Sequence, residues 1–410
     1  MAVTLEDYRE IVGPGVIEEL HTLADRVRGR VIQNINSTSV GGGVAEILTR
    51  LIPLMRELGI DARWDVIKGD QAFFNVTKAF HNALHGKPEE ISAEMFDVFR
   101  ANTEMNLRET EITGDVVFIH DPQPAGLIQR KAEIGRRWVW RCHIDVSAPQ
   151  ANVWNFLREH VEKYDAAMFS MPDFAQRLSI PQFRVSPSID PLSDKNKPLE
   201  KSAIEKVLEK YQIDRRRPLL TQISRFDRLK DPLGVIAAYQ LVKKRHSRCQ
   251  LVLAGGGATD DPEGEAVLRE VREAAGADPD IHVLLLPPFS DLEINALVRA
   301  STIVLQKSIK EGFGLTVSEA LWKKKPVIGG AVGGIKLQII NGVTGYLTHS
   351  PEGAANRISE LLRDSKLRER MGENGYQHVR QNFLVTVNVK NYLLIMLALD
   401  HAGESIVNLN

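Results

Sequence analysis

"STIVLQKSIKEGFGLTVSEALWKKKPVIGG", residues 301–330, carries the fold in miniature. STIVLQ (301–306) is short and apolar and reads as a buried strand, and KPVIGG (325–330) reads as another. Between them, Thr316–Trp322 reads as the opening of a helix. Strand, helix and strand in that order predict a parallel pair with a helix crossing over one face. The connecting loop places two acids, Glu311 and Glu319, either side of a Gly-Phe-Gly turn. Thr316-Val317-Ser318-Glu319 fits a capping box, in which Glu319 reaches back to a free backbone N–H. Glu311 has no such structural role. It stands where a strand feeds a helix, beside glycines that let backbone N–H groups approach a ligand.

The same alternation extends in both directions. In the first half the β-rich runs are RVIQNI (30–35), ARWDVI (62–67), DVVFIH (115–120), WVWRC (138–142) and AAMFS (166–170). Helical patterns at Val44–Leu58 and Asn152–Lys163 lie between them. In the second half, PLLTQI (218–223), QLVLAG (250–255) and IHVLLL (281–286) precede the opening stretch. Pro232–Arg245, Gly264–Ala275 and Asp291–Ala300 are their helical partners. The pattern predicts two α/β domains, each built on a parallel sheet covered on both faces. The prolines and small polar residues of VSPSIDPLSDKNKP (185–198) mark the boundary, giving domains at 1–187 and 188–384. From Ser365 onward the chain reads as two or three helices, with an apolar face at Tyr392, Leu393, Met396 and Leu399. A C-terminal helix over 385–410 is expected to pack back toward the first domain.

Composition narrows the function classes. A chain of 410 residues exceeds one ordinary core, and 43% hydrophobic with 26% charged residues describes a globular protein. A formal net charge of −1 supplies no field for nucleic acid or a membrane surface, so neither is expected as a partner. Cys142 and Cys249, the two cysteines, are far apart and form no metal-ligand cluster. The N-terminus shows no apolar signal region and no apolar run reaches spanning length, so a cytoplasmic location is expected.

Ligands of open parallel sheets sit at the carboxyl ends of strands, which ranks the loops. NSTSVGGGVAEIL (36–48) sets Gly41, Gly42 and Gly43 before a helix, where a phosphate can approach; a tight βα loop is the plain alternative. Gly255-Gly256-Gly257 is followed by acids that repel a phosphate and reads as an ordinary loop. In TQISRFDRLKDP (221–232), Arg225 and Lys230 can converge on one diphosphate, or stand as solvated surface cations. His143 follows a strand in RCHIDVSAP (141–149), where it can donate toward a developing charge or hold a substrate hydroxyl; a satisfied structural histidine is as common. Asp278-Pro279-Asp280 precedes a strand and reads as a turn, and no metal site is expected.

Together, the E-x7-E spacing of Glu311 and Glu319, VIGGAVGGI (327–335), Arg225, Lys230, His143 and the first glycine loop resemble retaining glycosyltransferase family 4. That resemblance implies the GT-B fold: two Rossmann-like domains with parallel sheets facing a central cleft. FFNVTKAFHNALHG (73–86), IHDPQPAGLI (119–128) and AVGGIKLQI (331–339) are similar to the trehalose synthase branch. Lys324 stands where the broader family usually has a glycine, and Gln338 where it often has an acid.

The resemblance implies roles by position. Glu319 would hold the ribose of a nucleotide donor and Glu311 the transferred sugar. Arg225 and Lys230 would bind the diphosphate, with Gly42 and Gly43 admitting it. Backbone N–H groups at Phe313, Gly314 and Leu315 would meet sugar hydroxyls, and His143 would lie by the anomeric centre. The acceptor would meet Lys78, Asn82, Asp121, Gln123 and Asp145, with Asn75, His81 and His120 nearby in sequence; each of these alone also suits packing or turn capping. No cofactor or metal is implied, the donor being a nucleoside-diphosphate glucose and the partners glucose or trehalose. LPPFSDLEINAL (286–297) does not discriminate the base, and the resemblance admits a homodimer. Trehalose phosphorylase and a catalytically inactive nucleotide-sugar binder are the alternatives.

Overall fold

The computed structural model describes residues 3–39, 42–256 and 262–401. The chain forms two compact units, Met1–Pro187 with Val385–Asn410, and Ser188–Leu384. The first is built on a six-stranded parallel sheet in the order β2-β1-β3-β4-β5-β6. Its strands are β1 (Val31–Asn36), β2 (Asp61–Val66), β3 (Val116–His120), β4 (Arg137–Arg141), β5 (Ala166–Phe169) and β6 (Gln182–Arg184). Every residue of β3 and β5 is buried, which is why VVFIH and AAMF carry no polar alternation. The chain leaves β1 toward β2 on one side and later returns to build β3 on the other. The gap between β1 and β3 is therefore the topological switch point, where the loops above the two strands diverge.

The helix Val385–Asp400 belongs to this unit and packs on the helices Pro14–Asp25 and Gly42–Glu57. Tyr392, Leu393, Met396 and Leu399 are all buried, and the Tyr392 ring lies 4.9 Å from that of Phe118 on β3. Burying a leucine or methionine at such a position contributes roughly 1.5–3 kcal/mol. Arg30 and Asp400 close the end of the helix with a 2.7 Å ion pair.

The second unit repeats the architecture with the order β12-β11-β10-β7-β8-β9. Its strands are β7 (Leu219–Ile223), β8 (Gln250–Gly256), β9 (Ile281–Leu286), β10 (Ile303–Gln306), β11 (Val327–Gly330) and β12 (Gly345–Thr348). Leu220, Leu251, Leu253, Ile303, Leu305 and Ile328 come from its strands into one core with Val235, Tyr239 and Ile358 from helices. The switch point here lies between β7 and β10.

Two strands, β6 and β12, are absent from the sequence expectation. Both lie at the edge of their sheets, where one neighbour suffices and short pieces pair. β6 has only three residues, none fully buried, and β12 opens on glycine. Neither carries a continuous apolar run.

Candidate active site

Glu311 lies in the loop after β10, on the β7–β10 switch point, and is only 9% exposed. Its Oε2 accepts from Lys230 Nζ at 2.7 Å, Ser308 Oγ at 3.1 Å and Gln306 Nε2 at 3.3 Å. Lys230 comes from the loop after β7, and its carbonyl accepts from Gln222 Nε2 at 3.0 Å. The amide oxygens of Gln222 and Gln306, at the ends of the two central strands, are buried without partners. A second ion pair, Lys307 to Asp231, sits beside the first in sequence. Asp231 also caps the helix Pro232–Lys243 by accepting from Gly234 N at 3.0 Å. Charges at this edge thus come in neutralised pairs, among buried amides that retain hydrogen-bonding capacity.

Arg225 stands apart from that network. It is 65% exposed at its side chain, and its guanidinium comes within 3.6 Å of Asp227. The other acid, Glu319, is buried on the helix Leu315–Trp322. The capping box does not form. The helix starts at Leu315 with Gly314 as its N-cap at φ +81°, so Thr316 is already inside and its hydroxyl reaches Ile223 O at 3.4 Å. A left-handed N-cap is a backbone device that the Thr-x-x-Glu pattern hid. Instead, Glu319 raises the proton affinity of Lys323, whose amine burial pushes down to about 7. Lys323 Nζ donates to Asn196 Oδ1 at 2.7 Å and to Glu319 O at 3.0 Å.

Among the described residues, nothing accepts from the backbone N–H groups of Phe313, Gly314 and Leu315. They form a donor cluster at the start of a helix, where the dipole adds positive potential. The loop after β11 braces them. A Cβ on Gly333 would lie 1.6 Å from Glu311 O, so only glycine permits that approach. Gln338 is fully buried, donating to Phe313 O at 2.6 Å and Gly334 O at 3.2 Å while accepting from Ser318 Oγ at 2.6 Å. A carboxylate at this position could not make the two donations, which accounts for the departure from the acidic pattern. At Lys324 the backbone is left-handed, φ +57°, the conformation that makes glycine the usual residue there.

The first unit's switch point is differently made. Asn34 on β1 is buried, and its Oδ1 lies 3.0 Å from His120 Nε2 at the end of β3. His120 Nδ1 lies 3.0 Å from His143 Nε2, and the two rings stack with centroids 5.3 Å apart. Burial, with the nearby Arg141 charge, lowers the His120 pKa to about 3 and takes that of His143 well below its ordinary value. Both rings are neutral at physiological pH. Arg141 is itself buried, donating to Val185 O at 2.5 Å with its Nε and Nη1 unpartnered.

The expected acceptor residues scatter. His120 spends both ring nitrogens on Asn34 and His143, so it supports the site instead of lining it. Asp121 Oδ1 accepts from His143 N at 2.7 Å, and burial raises its pKa to about 6. Asp145 is buried and accepts from Ser147 N at 3.0 Å and Ser147 Oγ at 2.6 Å, a turn-closing role. Asn82 donates to Glu89 Oε1 at 2.8 Å, and Asn75 accepts from Gln71 at 2.9 Å. Lys78 is exposed, His81 packs against His85, and Gln123 keeps a buried amide oxygen without a partner. Gly42 starts a helix and nothing crowds Gly43, while Gly41 and Gly257 lie outside the described residues. The carboxylates of Asp278 and Asp280 are taken up by Lys243 and Arg217. No group of potential metal ligands occurs among the described residues. No described helix is long and apolar enough to cross a membrane.

Comparison with known proteins places these loops in context. The family model "Trehalose synthase, N-terminal domain" matches residues 34–176, and "Glycosyl transferases group 1" matches 203–378. The trehalose synthase of Thermococcus litoralis is 46% identical over 395 residues, 95% of each chain. The trehalose phosphorylase of Pleurotus pulmonarius is 30% identical over 457 residues, which take in 98% of this chain but 62% of that protein. Among solved structures, an α,α-trehalose-phosphate synthase (UDP-forming) from Burkholderia xenovorans superposes with a TM-score of 0.70 at 13% identity. The match covers 91% of this chain and 100% of that one.

Proposed function

Since the chain belongs to the trehalose synthase family of GT-B glycosyltransferases and is a hexosyltransferase, we propose that it joins glucose from a nucleoside-diphosphate glucose to free glucose, retaining the anomeric configuration. The supporting observation is the Lys230–Glu311 pair at 2.7 Å, set at a switch point beside the donor cluster of Phe313, Gly314 and Leu315. In this reading, Lys230 and Arg225 bind the diphosphate and stabilise it as the leaving group. Glu311 orients the Lys230 ammonium and faces the transferred sugar, whose hydroxyls meet the free N–H groups. Glu319 holds the ribose.

The proposed step is a front-face displacement. The bond between C1 of the glucosyl group and the diphosphate oxygen breaks, leaving oxocarbenium-like charge on the sugar. The anomeric hydroxyl oxygen of free glucose bonds to C1 from the same face and gives its proton to the departing phosphate oxygen. The products are trehalose and a nucleoside diphosphate, and no metal or cofactor enters the balance. The 46% identity to a trehalose synthase, against 30% to a trehalose phosphorylase, favours the synthase reading.

Incubation with glucose and a panel of nucleoside-diphosphate glucoses tests the proposal. The expected product is silent in a reducing-sugar test, is split by trehalase, and appears with one nucleoside diphosphate per linkage. A reducing disaccharide would refute the α,α-1,1 product. Trehalose breakdown that consumes inorganic phosphate and needs no nucleotide would replace the transferase with a phosphorylase.

A further inference from the structure

The contacts of Asn34 decide which way the histidine pair is protonated. Its Nδ2 lies 3.4 Å from Arg63 O, and its Oδ1 faces His120 Nε2 at 3.0 Å. Exchanging the amide's two ends would set oxygen against the Arg63 carbonyl, acceptor against acceptor, so the orientation is fixed by its neighbours. An amide oxygen can only accept, and His120 Nε2 must therefore carry a proton. Being neutral, His120 then has a bare Nδ1, which can only accept from His143 Nε2–H across 3.0 Å. The proton of neutral His143 is thereby spent, leaving its Nδ1 as a lone pair. His143 is half-buried, and among the described residues nothing hydrogen-bonds that nitrogen. The opposite arrangement needs a second positive charge beside buried Arg141, which burial and repulsion both oppose.

We propose that Asn34 and His120 are positioning residues that lock His143 with Nε2 protonated and Nδ1 bare, making it an obligate acceptor for a sugar hydroxyl. A phosphate oxygen, itself an acceptor, is refused at that nitrogen. The backbone supports the lock, since Asp121 holds His143 N at 2.7 Å and is tied in turn by Trp140 Nε1 donating to its carbonyl at 3.0 Å. The ligand chemistry rests on the glucosyl-transfer reading above, whereas the tautomer does not.

The test is proton–nitrogen correlation NMR on the full chain labelled at histidine nitrogens, with His143 assigned by its loss in His143→Gln. The expected spectrum shows Nδ1 in the unprotonated range and Nε2 in the protonated range at neutral pH. A protonated Nδ1 overturns the proposal, whether or not the protein transfers glucose. Separate additions of glucose, a nucleoside-diphosphate glucose and the bare nucleoside diphosphate identify the hydroxyl. A shift with glucose assigns it to the acceptor, and one with the nucleotide sugar but not the nucleotide assigns it to the transferred sugar. A shift with the bare nucleotide, or with none of the three, overturns the ligand assignment. His120→Phe removes the acceptor facing His143 and should lower kcat/KM about tenfold, with mixed tautomers in the spectrum. His120→Asn restores an oxygen near the Nδ1 position and should recover activity to within about threefold of the parent. Equal rates in all three proteins refute the positioning role, and if the Phe variant fails to fold, the parent spectrum and the Asn variant still decide.

Discussion

Both sheets are six-stranded and parallel with a single switch point, and the two switch points are built from opposite materials. Between β7 and β10 the polar groups are charged and paired, Lys230 with Glu311 and Lys307 with Asp231. Between β1 and β3 the hydrogen-bonded chain is neutral and directional, Asn34 to His120 to His143, with Arg141 and Asp121 beside it. An ion pair can exchange one anion for another while keeping its cation satisfied, which suits a ligand bearing charge. A neutral chain of fixed tautomers instead discriminates by the direction of each hydrogen bond, which suits hydroxyls. The difference gives each edge its own way of failing.

The charged edge should fail hardest. Lys230→Ala is expected to lower turnover by at least about a hundredfold, as when a charge aimed at a leaving group is lost. Among the described residues it also leaves the Glu311 carboxylate with Gln306 and Ser308, at roughly 3 kcal/mol for breaking a largely buried pair. Arg225→Ala should preserve stability, because that side chain is 65% exposed and, among the described residues, its ion-pair partner is Asp227 at 3.6 Å. Single-turnover rates on variants checked by thermal melting read both effects. Near-normal turnover in Lys230→Ala removes the diphosphate assignment.

Acid should separate the two units next. The folded pKa values of His120 and His143 lie below the unfolded value of about 6.5, so their contribution is complete above that pH and is lost as pH falls, for His120 toward about 3. Asp121 opposes this, since its folded pKa of about 6 exceeds the unfolded one and protonation relieves a cost as pH falls toward 4. Two histidines outweigh one carboxyl, and each net proton steepens the loss by about 1.4 kcal/mol per pH unit. In the second unit burial lowers Lys323 and Lys325 to about 7 and about 8, and it also lowers His282 on the edge strand β9 and His246 after the helix Pro232–Lys243, both off β7 and β10. The lysines' stabilising share is full only above the ordinary lysine range and falls as pH drops to about 7. Amide exchange, corrected for intrinsic rates, should therefore show β1, β3 and β4 losing protection between pH 6.5 and 5 before β7 and β10 do. Equal losses in both sheets would erase the contrast.

The central strands were legible because a strand buried on both faces is apolar over most of its length, as VVFI in β3 and IVL in β10 are. Edge strands escape that requirement, and β6 and β12 could not be read. Sequence also suggested which loops to inspect, since loops that follow central strands crowd the switch points. It could not show pairing. Lys230 and Glu311 are 81 positions apart, and nothing in either loop announces that one neutralises the other. His120 stood among the polar residues near the expected acceptor contacts because it ends a strand, where ligand-facing side chains gather. Only the packed sheet shows both of its nitrogens occupied. Gln338 looked like a change at a binding position and is a buried clamp, a role that depends on where Phe313 and Gly334 come to lie.

The smallest expected effect separates the two glutamates. Were Thr316-Val317-Ser318-Glu319 a capping box, Thr316→Ala would remove the cap and cost about 1 kcal/mol. With Gly314 as the N-cap and Thr316 in the second helical position, the substitution loses only a 3.4 Å bond to Ile223 O, and a cost below about 0.5 kcal/mol is expected. Alanine also has the better intrinsic helix preference, which offsets part of that loss. Glu319→Ala should likewise show no capping deficit. Its effect falls on Lys323, which loses a stabilising charge and titrates lower, and on nucleotide affinity if the ribose assignment holds. Urea midpoints for the two variants, with nucleotide binding measured by calorimetry, distinguish the cases. A full kilocalorie lost in Thr316→Ala would restore the capping box, whereas normal nucleotide binding by Glu319→Ala would remove the ribose assignment.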